Sequence, residues 1–185
     1  VATGSLETGR VVSFEEVDYE TRPSRANMEP RENDVMFAKM KETEKVFCVS
    51  KDATENIYST GFSILRVKDS KQFYPKFVFY WLRSNDFQDK KNKECTGATQ
   101  KALNETQLRK FKIPKPPLET QKKIAALLEK AEKLKELRVD ADKLTDELLK
   151  SVFYEMFGDP VRNEKKWEMV ELGKITNSRL GKMLD

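Results

Sequence analysis

A chain of 185 residues can bury one ordinary core, or a small core with an appended element. Charged residues make up 36% and hydrophobic ones 38%, and no apolar run approaches the roughly 20 residues that a membrane-spanning helix requires. With no histidine and seven scattered glycines, a Ser-His-Asp triad, a His-metal site, a Walker A loop and a G-x-G-x-x-G turn are all excluded, so the chain is not expected to be an enzyme by itself.

The net charge of +4 is unevenly spread. Residues 1–36 carry Arg10, Arg22, Arg25 and Arg31 against eight acids, whereas residues 86–115 carry eight basic side chains against four acids. Such an asymmetry suits one basic face on phosphate, although a lysine-rich solvated surface would look the same. Val1 is not an initiator Met and reads as a processed or trimmed end, and Val1–Ser5 has neither the basic flank nor the apolar stretch of a signal peptide. Cys48 and Cys95 lack C-x-x-C spacing and read as reduced thiols of a cytoplasmic protein, with no metal and no cofactor expected.

In chain order, the first elements are strands. Val11–Phe14, Asp34–Ala38, Val46–Val49 and Phe62–Val67 are short β-rich runs, separated by polar segments holding Pro23, Pro30, Asn33 and Gly61. From Pro75 the period changes to that of a helix, with Phe77, Val78, Tyr80, Trp81 and Leu82 at i, i+3, i+4 spacing. Aromatics at that spacing are expected to pack in a core rather than stack on bases. A polar stretch over 84–93 and a loop over 94–101 follow. Asn104 with Gln107 three residues on is a capping-box pattern that opens a short helix. Ile113-Pro114-Lys115-Pro116-Pro117 is then a stiff, extended exit.

Residues 118–157 contain no Pro and no Gly and are rich in Leu, Ala, Glu and Lys, which predicts one long helix stopped by Gly158-Asp159-Pro160. Leu127, Leu134, Ala141 and Leu148 recur every seven residues, with Ile124 and Ala131 as a companion row and Leu137 and Leu144 flanking it. That is a coiled-coil seam, interrupted at Arg138 and Thr145, and it calls for a partner helix. Trp167–Ile175 is strand-like and opens a further segment. The expected fold class is α+β: a mixed, β-rich domain over 1–117, a long protruding coiled-coil helix over 118–157, and the start of a following segment over 158–185.

The order of these pieces resembles the specificity (S) subunit of type I restriction–modification enzymes. The match runs from about Asn33 to Asp185, and its most specific positions are Ile113-Pro114, Pro116-Pro117-Leu118, Gln121 and Ile124. Trp167–Ile175 followed by Gly181-Lys182 also resembles the way a recognition domain of this family begins. The resemblance implies a non-catalytic target recognition domain, incomplete at its N-terminus, that reads double-stranded DNA. It implies docking of modification (methyltransferase) subunits on the long helix, and a restriction subunit reached through the complex. A full member carries two recognition domains and two helices, so the chain is expected to be a fragment or a half-length form. Two antiparallel copies would bury both stripes and read a split palindrome.

Base readout needs polar side chains on projecting loops, with basic residues on phosphate beside them. Two loops qualify: Lys39-Met40-Lys41-Glu42-Thr43, and Thr96-Gly97-Ala98-Thr99-Gln100-Lys101. Lys90, Lys91 and Lys93 are expected on phosphates. Acid-x-Lys triplets at 69–71, 89–91 and 164–166 raise a carboxylate–metal nuclease as a rival, but in so charged a chain they are expected by chance. A coiled-coil interaction module without DNA affinity is the other alternative.

Overall fold

The structure, a computed structural model, describes residues 1–7, 9–18, 20–98, 100–177 and 181. The chain forms two compact units, Val1–Glu132 and Lys133–Asp185. In the first, strand β4 (Val35–Ala38) is the centre of a three-stranded antiparallel sheet, flanked by β5 (Val46–Cys48) and β7 (Phe62–Leu65). Its register pairs Met36 with Phe47 on one side and with Ile64 on the other.

All four residues of β4 are buried because both faces are covered, which is why the run is continuously apolar rather than alternating. Val35 and Phe37 enter one core with Val46, Val78, Phe79, Leu82 and Phe87. Met36 and Ala38 enter a second with Leu6, Phe47, Val49, Tyr58 and Phe62. Asp34, at the start of β4, is also buried, and its carboxylate accepts from Arg66 Nε and Nη2 at 2.8 and 2.6 Å and from the Arg31 amide at 2.7 Å. Burial alone would raise its pKa; the Arg66 guanidinium and the Arg31 amide outweigh it and hold the carboxyl below the usual range.

Helix α1 (Pro75–Leu82) has Pro75 in its first turn, where the missing N–H leaves no bond unmade. Phe77, Val78, Phe79 and Leu82 are buried, as expected for core aromatics and aliphatics. The polar stretch over 84–93 is itself a helix, α2 (Asn85–Glu94), which the sequence reading did not anticipate. Ser84 Oγ caps it by accepting from the Phe87 amide, and Phe87 alone supplies its large apolar anchor, edge-on to Phe37 with ring centroids 5.3 Å apart. One aromatic per ten residues is too sparse for a hydrophobic period to register.

Other departures lie near the N-terminus. β1 (Leu6–Glu7) pairs with β2 (Arg10–Val11), and β3 (Ala26–Met28) pairs with β6 (Tyr58–Ser59). The strand expected over Val11–Phe14 stops at Val11, because the Val12 and Ser13 amides both donate to the single carbonyl of Ser5 and the ladder ends there. Phe14 is exposed. Helix α3 (Glu105–Leu108) starts as expected, with Asn104 Oδ1 accepting from the Gln107 amide at 2.8 Å. Its capping box is one-armed, since Gln107 Oε1 has no partner.

Helix α4 (Leu118–Phe157) has the bounds its composition predicts. Gly158 follows at φ +73°, its amide donating to the Tyr154 carbonyl at 2.8 Å, and Lys165 reaches back to the Glu155 and Met156 carbonyls. In the second unit the strand-like 167–175 resolves differently. Residues 166–171 form no regular element and have no strand partner among the described residues, Lys166 adopting φ +55°, and Leu172–Ile175 closes into a short helix, α5. A strand needs a neighbour to satisfy its backbone, and the described residues of the unit offer none. Both cysteines are free thiols, and among the described residues no helix is long and apolar enough to cross a membrane.

Candidate nucleic-acid interface

Two loops nominated separately, more than 50 residues apart in sequence, lie side by side. The Lys41 amide donates to the Lys101 carbonyl at 2.9 Å and the Leu103 amide to the Lys39 carbonyl at 2.9 Å. Met40 and Thr96 both bridge to Ala102, so the chain after β4 and the two arms of the 96–102 turn form a miniature three-stranded ribbon. Thr96 and Ala102 exchange backbone bonds at 3.0 and 3.1 Å across that turn. Helix α2 holds the first loop from behind: Asn92 Oδ1 accepts from the Glu42 amide at 2.8 Å, and Lys91 Nζ donates to the Thr43 carbonyl at 2.5 Å.

The resulting platform exposes Lys41, Thr96, Gly97, Gln100 and Lys101, with Lys39 and Thr43 half-buried at its base; Thr99 lies outside the described residues. Gly97 adopts φ +135°, and a Cβ there would stand 2.5 Å from the Gln100 carbonyl oxygen. Its glycine is therefore required by the turn itself, a reason distinct from close approach of a ligand. Lys41 pairs with Glu42 at 3.5 Å, an exposed contact that leaves the ammonium available.

The three lysines of α2 separate. Lys93 is exposed, as a phosphate contact requires. Lys90 is exposed but sits over the Phe111 ring, 4.7 Å from its centroid. Lys91 corrects the expectation: it is fully buried, spent on the Thr43 carbonyl, and burial pulls its pKa below the ordinary lysine value. It shapes the loop from inside and presents nothing to a phosphate. Sequence reasoning also missed Asn92, whose only signal was its place one turn beyond the cap-and-anchor pair Ser84 and Phe87.

The exit from this unit is fixed by Gln121, which is fully buried. Its Oε1 accepts from the Tyr74 amide at 2.9 Å, and its Nε2 donates to the carbonyls of Gln72 and Pro116 at 2.9 and 2.8 Å. Further along the same face Ala125 is buried, Glu129 pairs with Lys76, and Glu132 accepts from the Tyr80 hydroxyl at 2.8 Å and pairs with Arg83. Burial and the Glu132 carboxylate together raise the Tyr80 phenol well above its ordinary pKa. The seam lies on the other side of the helix. Ile124 is half-buried, while Leu127, Ala131, Leu134, Ala141 and Leu148 are all exposed, Leu127 to 66% and Leu134 to 68%.

The type I restriction modification DNA specificity domain profile matches residues 17–141, which takes in both loops, Gln121 and most of the seam. The chain belongs to that family. Its structure is similar to a solved chain described under the structural basis of complex assembly and conformational transition of the type I R-M system, at 28% identity and TM-score 0.66. It is also similar to the HsdS subunit from Thermoanaerobacter tengcongensis, at 29% identity and TM-score 0.60. Each alignment covers 86% of this chain and 43% of the other, so this specificity-domain chain spans less than half the length of the solved chains it matches. No curated protein matches it. The specificity-domain family is the one its Ile113–Ile124 motif resembles, and the buried Gln121 gives that motif a physical role.

Proposed function

We propose that this chain is the DNA-reading specificity component of a type I restriction–modification system, non-catalytic itself, bound to double-stranded DNA through the paired loops. The observation that carries this reading is the joining of the 39–43 and 96–101 loops into one exposed basic ribbon. The two arms of the 96–102 turn make the outer pair of that ribbon, and a two-stranded ribbon fits the major groove, whose base edges offer donors and acceptors to Gln, Thr and Lys side chains. Lys41, Lys93 and Lys101 supply the phosphate contacts that set register without reading sequence.

The exposed leucine row of α4 supports a coiled-coil role: two copies pairing antiparallel as a homodimer would bury both rows and present two identical readers to a split palindrome. The same helices would dock the modification (methyltransferase) subunits, with a restriction subunit joining through the complex. Co-expression with a methyltransferase subunit, followed by base-resolved mapping of methylation in host DNA, tests the reading. A split motif methylated only when both proteins are present is the expected result. A stable dimer with no salt-sensitive DNA binding would instead make the chain a coiled-coil interaction module.

A further inference from the structure

The outer edge of β7 pairs with no strand among the described residues, and a groove of about 1270 Å³ runs along it. Every residue from Phe62 to Asp69 lines that groove. A ligand lying on one face of a strand would meet alternate side chains, so consecutive lining places the groove at the strand's edge, where backbone groups are open. Leu108, Phe111 and Ile113 form the facing wall. The volume exceeds the roughly 300–1,000 Å³ of small-molecule sites and suits an extended peptide, which adds main-chain bonds to such an edge. The lining is apolar with four basic side chains, Lys39, Arg66, Lys68 and Arg109, against two acids, Asp69 and Glu105; Arg66 is paired with Asp34 and Arg109 with Glu105, so Lys39 and Lys68 carry the basic excess.

The second unit contains a segment of matching chemistry. Residues 167–171 pair with no strand among the described residues, the Trp167 amide and carbonyl being held by the Asn163 side chain, and Trp167, Met169, Val170 and Leu172 are all more than half exposed. Glu168 and Glu171 alternate with them, an acidic complement to a groove with a basic excess. We propose that the β7 edge is a strand-addition site for Trp167–Leu172 of a second copy. The choice of a second copy rests on the antiparallel helix pairing proposed above. Setting Ile124 of one copy against Leu148 of the other brings the second copy's Tyr154 level with Leu118, the first residue of α4 and five residues beyond the groove-lining Ile113. Lys165 on the Glu155 and Met156 carbonyls and the Asn163–Trp167 bonds draw this segment back to the helix end, so strand exchange releases those contacts and lets the ten residues from Phe157 to Trp167 span up to about 33 Å. The exchanged strand would lock at each end a dimer that the seam holds in the middle.

The test uses the full chain with its own segment silenced (W167A, M169S and V170S, all at exposed positions) and a fluorescent peptide of residues 163–177. Saturable binding below about 100 μM is expected. It should weaken at least tenfold when the peptide carries W167A and M169S, and severalfold when the protein carries K68E. Absence of saturation overturns strand addition. In the otherwise unsubstituted chain, cysteines placed at Leu65 and Val170 with C48S and C95S should cross-link between isotopically light and heavy copies. Cross-links confined to single copies overturn the second-copy assignment. A dimer by light scattering with no peptide binding removes the strand proposal while leaving helix pairing in place; peptide binding by a chain that stays monomeric removes the second-copy assignment together with helix pairing.

Discussion

The Lys41 amide and the Lys101 carbonyl, 60 residues apart in sequence, meet across a single hydrogen bond of 2.9 Å. With the Leu103 amide on the Lys39 carbonyl beside it, this bond makes one ribbon of two loops, with a lysine on each arm. Replacing Lys41 and Lys101 together by alanine should weaken duplex binding about equally for every sequence, and lower the magnitude of the slope of log K against log salt by up to about 1.8. Anisotropy titrations between 50 and 200 mM salt would check this. A loss confined to one target sequence would mean that these lysines read bases.

Gly97→Ala should damage the ribbon without touching its charge. A Cβ would meet the Gln100 carbonyl at 2.5 Å, and φ +135° is hostile to any L side chain. We expect a loss of about 1–3 kcal/mol in chemical unfolding and a larger fractional loss in DNA affinity, because the turn must shift before it can pair with Lys41.

Lys91→Met separates the buried ammonium from the exposed ones. Methionine is close in shape, so packing is retained, while the Thr43 carbonyl loses its donor, at about 1–3 kcal/mol near neutral pH. The folded-state pKa of Lys91 lies below the unfolded value near 10.5, so between the two the unfolded chain binds more protons. Stability of the parent chain should therefore rise with pH across that window relative to Lys91→Met. Paired urea unfolding curves from pH 7 to 10 would show the difference widening in the parent's favour; parallel curves would mean that Lys91 titrates normally.

Gln121→Ala removes one acceptor and one doubly used donor at a site with no access to water. The Tyr74 amide and the Gln72 and Pro116 carbonyls lose their partner together, and we expect a loss of about 2–4 kcal/mol. Amide exchange should accelerate at Tyr74 and over the first turns of α4 before it does in β4. Gln121→Glu keeps the acceptor but sets a buried carboxylate oxygen against the Gln72 and Pro116 carbonyls, so it should cost at least as much as Gln121→Ala.

The sequence made some of this legible and hid the rest for identifiable reasons. β4, β5, β7, α1 and α4 could be read because each depends on local signals: apolar runs, a helical period, Pro75 at a first turn, Gly158 past a last one. α2 could not, since its fold depends on one capping serine and one buried phenylalanine. Both loops of the candidate interface were visible as polar, glycine-bearing segments. Their union was not, because it is made by main-chain bonds at Lys39, Lys41 and Ala102 that no side chain announces. Lys91 was misread for the converse reason: among Lys90, Lys91 and Lys93 nothing in composition distinguishes the one that faces inward. The trailing Trp167–Ile175 carried a strand's alternation without a strand's neighbour.

The position of Gln121 also bears on the order in which the chain matures during synthesis. The sheet and α1 leave the ribosome first, yet the amide of Tyr74 finds its side-chain acceptor only after another 47 residues have been added. Until then the start of α1 is held by water and by its neighbours alone, and the exposed apolar groups of α4 have not yet been made. Gln121, in the first turn of α4, is thus the earliest anchor of that helix on the N-terminal unit, ahead of Glu129 and Glu132 and of the leucines between and beyond them. The helix is therefore anchored before most of the surface most prone to indiscriminate association emerges.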